Sequence, residues 1–161
     1  MKKEEIISRF QIDNSQLLKT NSYLEMLKEY NSHTNLVGKS TLENPWKAHI
    51  LDSLQLLKFI TNKKLSILDM GSGAGLPGIP LSIMGFYNVT LVDSNGKKIK
   101  FLKKVKESLG LKNTIVQGRI ESLSHLSFDI ITSRALSNLN SLLTYSQKLV
   151  KKNTLLVFLK G

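Results

Sequence analysis

Two carboxylates and a cluster of glycines carry the first chemical signal in this chain. The stretch Leu65-Ser66-Ile67-Leu68-Asp69 is an apolar run that ends in an acid. It breaks at once into Met70-Gly71-Ser72-Gly73-Ala74-Gly75-Leu76-Pro77-Gly78. A buried parallel strand delivers its C-terminal end to a nucleotide-like ligand in this way. Gly71, Gly73 and Gly75 permit positive φ and let the backbone approach a ligand that any Cβ would hold off. Ile79 to Met84 then predict a helix with Pro80 in its first turn, its free N–H groups facing the same crevice. About twenty residues past Gly71, a second apolar run ends in Asp93, where a carboxylate can accept from ribose hydroxyls.

The phase of the glycines selects the ligand. In a dinucleotide fingerprint the first glycine follows the strand directly, which here is Gly71. Counting from it, Leu76 stands where the third glycine belongs, and the loop runs on through Pro77-Gly78. A glycine loop followed by a ribose acid, without a complete diphosphate fingerprint, points to an adenosine ligand that lacks phosphates. S-adenosyl-L-methionine (SAM) fits best, and a nicotinamide dinucleotide is the alternative.

Other polar residues cluster near predicted strand ends. Ile120-Glu121 follows the third strand, where an apolar–acidic pair can flank adenine; an ordinary surface acid at a helix start is the competing reading. Arg134 follows the fourth strand and borders the crevice where a reacting group would lie. It is one of three arginines, with Arg9 and Arg119, in a chain whose other basic residues are lysines. His49 and Asp52 are spaced to share a helix face, as a proton relay, half a metal site or a tertiary hydrogen-bonding pair. With no cysteine and no third ligand at suitable spacing, no metal is expected. His33 and His125 read as loop residues, and Trp46 as packing.

The 161 residues fit one domain, which buries about 70% of its unfolded surface. The net charge of +11 favours a polyanion partner; a lysine-rich composition shared with abundant Asn and Ile competes with that reading. The densest cluster is Lys97, Lys98, Lys100, Lys103, Lys104 and Lys106. On a helix these flank the stripe Ile99, Phe101, Leu102, Val105 and Leu109, which suits a solvated face stopped by Gly110. No signal peptide or membrane-spanning run is read, so a cytoplasmic protein without membrane association is expected.

Periodicity predicts helices over about 15–31 and 41–60, forming an N-terminal cap over residues 1–62 that faces the RNA if RNA is the partner. Leu18 and Phe59 fall on their apolar sides. From 63 to 161, strands near 65–69, 89–93, 114–117, 128–133 and 154–159 alternate with helices near 79–85, 96–109 and 138–151. That is an α/β, Rossmann-like parallel sheet flanked by helices.

These residues together resemble the RsmG (GidB) family of 16S ribosomal RNA guanine-N7 methyltransferases. The similarity runs from about Leu24 to Gly161. It rests on the Asn35-Leu36 loop, His49-Ile50-Leu51-Asp52-Ser53, the Gly-Leu-Pro-Gly-Ile-Pro loop, Val92-Asp93-Ser94, Ser133-Arg134-Ala135 and Leu159-Lys160-Gly161 in that order. The resemblance implies SAM contacts at Gly71, Leu76, Ile120, Glu121 and Arg134. It also implies methylation of a guanine in the 530 loop of 16S rRNA (nucleotide 527 in the family), on naked rRNA or in the small ribosomal subunit, by a monomer. Asn35, His49, Asp52 and Arg134 are the candidates for orienting the base. Family members continue past Lys-Gly, so C-terminal strands at the sheet edge are expected to lie outside this chain. The alternatives are a catalytically impaired SAM- and RNA-binding homologue or fragment, and a nicotinamide-dependent oxidoreductase.

Overall fold

Strands that are apolar on both faces need cover on both faces. All four residues of β1 (Ile67–Met70) are buried, and the computed structural model, which describes residues 1–123, 126–134 and 139–159, sets that strand mid-sheet. The sheet order is β3 (Thr114–Gln117), β2 (Val89–Asp93), β1, β4 (Phe128–Arg134), β5 (Val150–Leu159), parallel throughout. The chain winds outward from β1 to β3, then crosses back to add β4 and β5 on the other side. That reversal opens a crevice beyond the C-terminal ends of β1 and β4, where open α/β sheets bind ligands.

The described α-helices are α1 (Lys3–Arg9), α2 (Asn14–Asn31), α3 (Asp52–Leu54), α4 (Gly78–Ile83), α5 (Gly96–Leu109) and α6 (Leu139–Ser146). Period-two alternation sends Ile67, Val89, Leu91 and Ile130 to one face, against α2, α4 and α5. Leu68, Met70, Val92 and Ile131 go to the other, against Ile120, Leu123, Leu149 and Tyr145. Helix α5 follows its sequence pattern closely: Ile99, Phe101, Leu102, Val105 and Leu109 are buried, Asn95 caps the start, and left-handed Gly110 ends it.

The N-terminal region departs from expectation. Helix α2 is as predicted, with an Asp13–Gln16 capping box, whereas α1, for which no helix was expected, packs Ile6, Ile7 and the following Phe10 on the core. The continuous helix expected over 41–60 is a relay of short pieces: a 3₁₀ turn at Lys39–Leu42, a π turn at Trp46–Leu51, α3, and a second 3₁₀ turn at Gln55–Lys58. Pro45 has no N–H and cannot sit inside a regular helix. The Ala48 carbonyl, inside the π turn that follows, accepts from Arg134. Leu18 and Phe59, on predicted apolar sides, are each 69% exposed. The helix expected over 138–151 ends at Ser146, and β5 begins at Val150 rather than 154. Its early start follows from a register shift against β4 between Phe128 and Ile130.

Candidate functional site

The glycine loop is held from three sides. Tyr23, fully buried on α2, donates its hydroxyl to the Ala74 carbonyl at 2.7 Å. Asp93 accepts from Gly73 N–H at 2.8 Å through one carboxylate oxygen and from Asn95 N–H at 2.8 Å through the other. Asp69, also fully buried, accepts from Gly78 N–H at 3.0 Å. Burial pushes the Asp69 carboxyl up to about 8, although that N–H bond works in the opposite direction.

Gly71, Gly73 and Gly75 all have positive φ, but they do different work. A Cβ on Gly73 would meet nothing nearer than the Gly71 carbonyl at 3.9 Å, so the side that faces the crevice is open. A Cβ on Gly75 would collide with Ile79 and Leu102, which makes that glycine a packing requirement beneath the loop.

The expectation that α4 offers free N–H groups to the crevice is corrected. Gly78 N–H goes to Asp69, Ile79 N–H to the Gly75 carbonyl at 2.6 Å, and Leu81 N–H to the Pro77 carbonyl at 3.2 Å; Pro80 has none. No first-turn donor remains for a phosphate. With its first-turn N–H groups engaged, the start of α4 has nothing to offer a diphosphate, which counts against a nicotinamide dinucleotide.

Two adjoining cavities occupy the crevice, sharing Gly71, Asp93 and Ser94 as a common wall. The smaller, about 260 Å³, is lined by Gly118, Arg119, Ile120, Glu121 and Tyr145. The larger, about 610 Å³, lies between the glycine loop (Ser72, Gly73, Ala74, Leu76) and the cap (Leu36, Val37, Gly38, Thr41, His49), with Arg134 and Lys98 completing it. Asp93 therefore stands on the wall the two cavities share, with Arg119 and Glu121 in the smaller and Lys98 and Arg134 in the larger.

Arg134 joins the sheet to the cap. Its Nη1 donates to His49 Nδ1 at 3.1 Å and its Nη2 to the Ala48 carbonyl at 3.2 Å, while its Nε lies 3.7 Å from Asp52 Oδ2. Since the guanidinium can only donate, His49 Nδ1 accepts, and Nε2–H donates to Thr41 Oγ1 at 2.8 Å. Burial, reinforced by the Arg134 charge, lowers the His49 pKa to about 4. His49 is a neutral imidazole with both nitrogens engaged.

The remaining predicted residues fall as follows. Asn35 is exposed and outside the cavity walls, which are formed by its neighbours Leu36, Val37 and Gly38. The residue that shapes this loop is Asn31, whose Oδ1 accepts from Leu36 and Val37 N–H, each at 2.9 Å. Gly75 is buried below the cavity, whereas Leu76 lines it. His33 is exposed beside Tyr30, and Trp46 is buried in the core. His125, Ala135, Lys160 and Gly161 lie outside the described residues. Sequence reasoning missed Tyr23, Thr41 and Tyr145, which carried no motif signal.

Sheet order, switch-point crevice and glycine loop define a Rossmann-like methyltransferase fold. Solved structures agree: YcgJ from Bacillus subtilis (TM-score 0.60, 22% identity, 68% of this chain and 50% of that one). A mutant of MtNAS in complex with S-adenosylmethionine gives 0.61 at 20% identity, over 89% and 59%. A SAM-dependent methyltransferase from Thiobacillus denitrificans with S-adenosyl-L-homocysteine gives 0.57 at 14%, over 67% and 47%. The family model for GidB, rRNA small subunit methyltransferase G, matches residues 16–161, and the chain belongs to that family. Curated relatives named ribosomal RNA small subunit methyltransferase G include those of Orientia tsutsugamushi (43% identical over 89% of this chain and 71% of the relative) and Rickettsia prowazekii (40%, over 86% and 72%). That of Paramagnetospirillum magneticum is 34% identical over 98% of this chain and 77% of its own length.

Proposed function

We propose that this chain transfers the methyl group of SAM to N7 of a guanine in the 530 loop of 16S rRNA. The relatives' name supplies the RNA class, and the site supports the chemistry. SAM provides an electrophilic methyl on sulfur. In this reading adenine lies against Ile120 and Glu121, the ribose at Asp93, and the methionine end along Gly71, Gly73 and Leu76 toward Arg134.

One observation carries the proposal: His49, an imidazole in the wall of the larger cavity beside Arg134, is neutral and bonded at both nitrogens. It has no lone pair free to take a proton. Guanine N7 needs no such base, because it has an available lone pair and no proton at neutral pH. The protein's task is then to bring nitrogen, methyl carbon and sulfur into line, and positioning of that kind lowers barriers by itself. Arg134, fixed by His49, the Ala48 carbonyl and Asp52, is a rigid donor at that point.

The cap over 1–62 and the core over 63–161 work as one unit in this scheme, with the cap facing RNA. The protein acts as a cytoplasmic monomer on the small ribosomal subunit or its RNA. Among the described residues no helix is long and apolar enough to cross a membrane.

The test is methylation of small-subunit RNA from a strain that lacks the modification. One methyl per RNA is expected, at a site cut by borohydride–aniline treatment, which is selective for N7-methylguanine. Methylation only of protein, DNA or small molecules rejects the proposal; SAM binding without transfer to any RNA identifies an impaired homologue instead.

A further inference from the structure

A third cavity, of about 420 Å³, opens beside Arg134 and includes Asp52, Glu43, Asn44 and Lys47 in its lining. Thr41 and Arg134 belong to both this cavity and the larger crevice cavity, so the two adjoin along that wall. Glu43 is exposed, whereas the Asp52 side chain is 32% exposed and anchored beside Arg134. Asp52 Oδ2 itself is occluded and makes no hydrogen bond. The accessible part of this carboxylate is what lines the third cavity.

A guanine carries its acceptors N7 and O6 on one edge and its donors N1–H and N2–H across the ring. If N7 points at the methyl end of the crevice, the donor edge points away from it. A carboxylate in the adjoining cavity can accept from that edge through its one accessible oxygen, and the Arg134 guanidinium between the cavities is a complement for O6. We infer that Asp52 reads the Watson–Crick edge of the target guanine, an inference that rests on the guanine-N7 proposal above. Adenine would place the N1 lone pair against the same carboxylate and is refused. Buried or half-buried polar groups built for one donor pattern reject an analogue that lacks it more strongly than an apolar pocket does. Asp52 is preferred to Glu43 because a held carboxylate loses less freedom in making the contact.

Asp52→Asn separates this role from a structural one, because it keeps the shape and an oxygen near Arg134 while replacing one acceptor by a donor. Three quantities are compared with wild type: kcat/KM for rRNA methylation, the SAM Kd, and binding of guanosine and inosine 5′-monophosphates with S-adenosyl-L-homocysteine saturating. Inosine keeps N7, O6 and N1–H but lacks the N2 amine. The expected result is a drop in kcat/KM of about tenfold to a hundredfold, with SAM Kd within twofold. The guanosine preference of the wild type should disappear, and Asp52→Glu should restore part of the activity. Equal kcat/KM overturns the inference, as does a SAM Kd that weakens as much as transfer, or a nucleotide preference that Asp52→Asn leaves intact. A wild type without guanosine preference overturns it too. A wild type that methylates no RNA instead brings down the underlying proposal.

Discussion

Asp93 has one role visible in its hydrogen bonds and a second, holding the ribose, that belongs to the proposed function. It organises the loop through Gly73 and Asn95, and each oxygen keeps a lone pair for a ribose hydroxyl. Asp93→Ala should weaken SAM by roughly one to two decades, from the loss of a charge-assisted bond worth about 1.5–3 kcal/mol. Calorimetry that finds an unchanged Kd removes Asp93 from the site. His49 makes a pH prediction. Its ordinary pKa of 6.5 falls to about 4 in the fold, so the unfolded chain takes up the proton first as the pH drops. The contribution to stability is therefore complete above 6.5 and is lost as pH falls toward 4, at most about 3 kcal/mol. His49→Gln should flatten the melting temperature across that window relative to wild type; parallel curves would show that the imidazole is not held neutral. Asp93 was legible from sequence because a strand end fixes its position. The bond between His49 and Arg134 was not, because it spans residues far apart in the chain and depends on how the cap lands on the sheet.

At the scale of elements, the parallel strands and α5 could be read directly, since continuous apolar runs and a helical stripe leave few alternatives. The region 41–60 could not, because its apolar spacing suits a regular helix and only Pro45 hints at the breaks. Within it the Ala48 carbonyl and His49 meet one guanidinium. Contact between α2 and the glycine loop was equally hidden, as Tyr23 looks like one more apolar residue on a helix. Tyr23→Phe keeps the ring packing and removes the donor to the Ala74 carbonyl. An unsatisfied buried carbonyl costs about 1–3 kcal/mol, so denaturant unfolding should show a loss of that order, with weaker SAM binding as the loop loosens. Unchanged stability would mean that water replaces the hydroxyl and that the cap does not brace the loop.

For the whole molecule, charge and site must be reconciled. Of the lysine cluster on α5, Lys97, Lys100, Lys103 and Lys104 are exposed, Lys98 is half-buried at the larger crevice cavity, and Lys104 lies over the Tyr30 ring at 5.1 Å. A solvated face explains the exposed lysines without any partner. Yet the helix begins just past Asp93, so RNA reaching the crevice passes close to it. RNA affinity should fall steeply with salt, roughly 0.7 log units per log salt for each single-strand phosphate contact. SAM affinity should barely move over the same range, because its contacts are short and local. Lys97, Lys100 and Lys104 replaced together by Gln decide whether this face joins the RNA footprint. A shallower salt slope with SAM Kd unaltered places the helix on the RNA; an identical slope leaves these lysines as solvating charge. If RNA binding by the wild type ignored salt altogether, the net charge of +11 would have no part in recognition, and the RNA would have to be held by the cap and the Arg134 cavity alone.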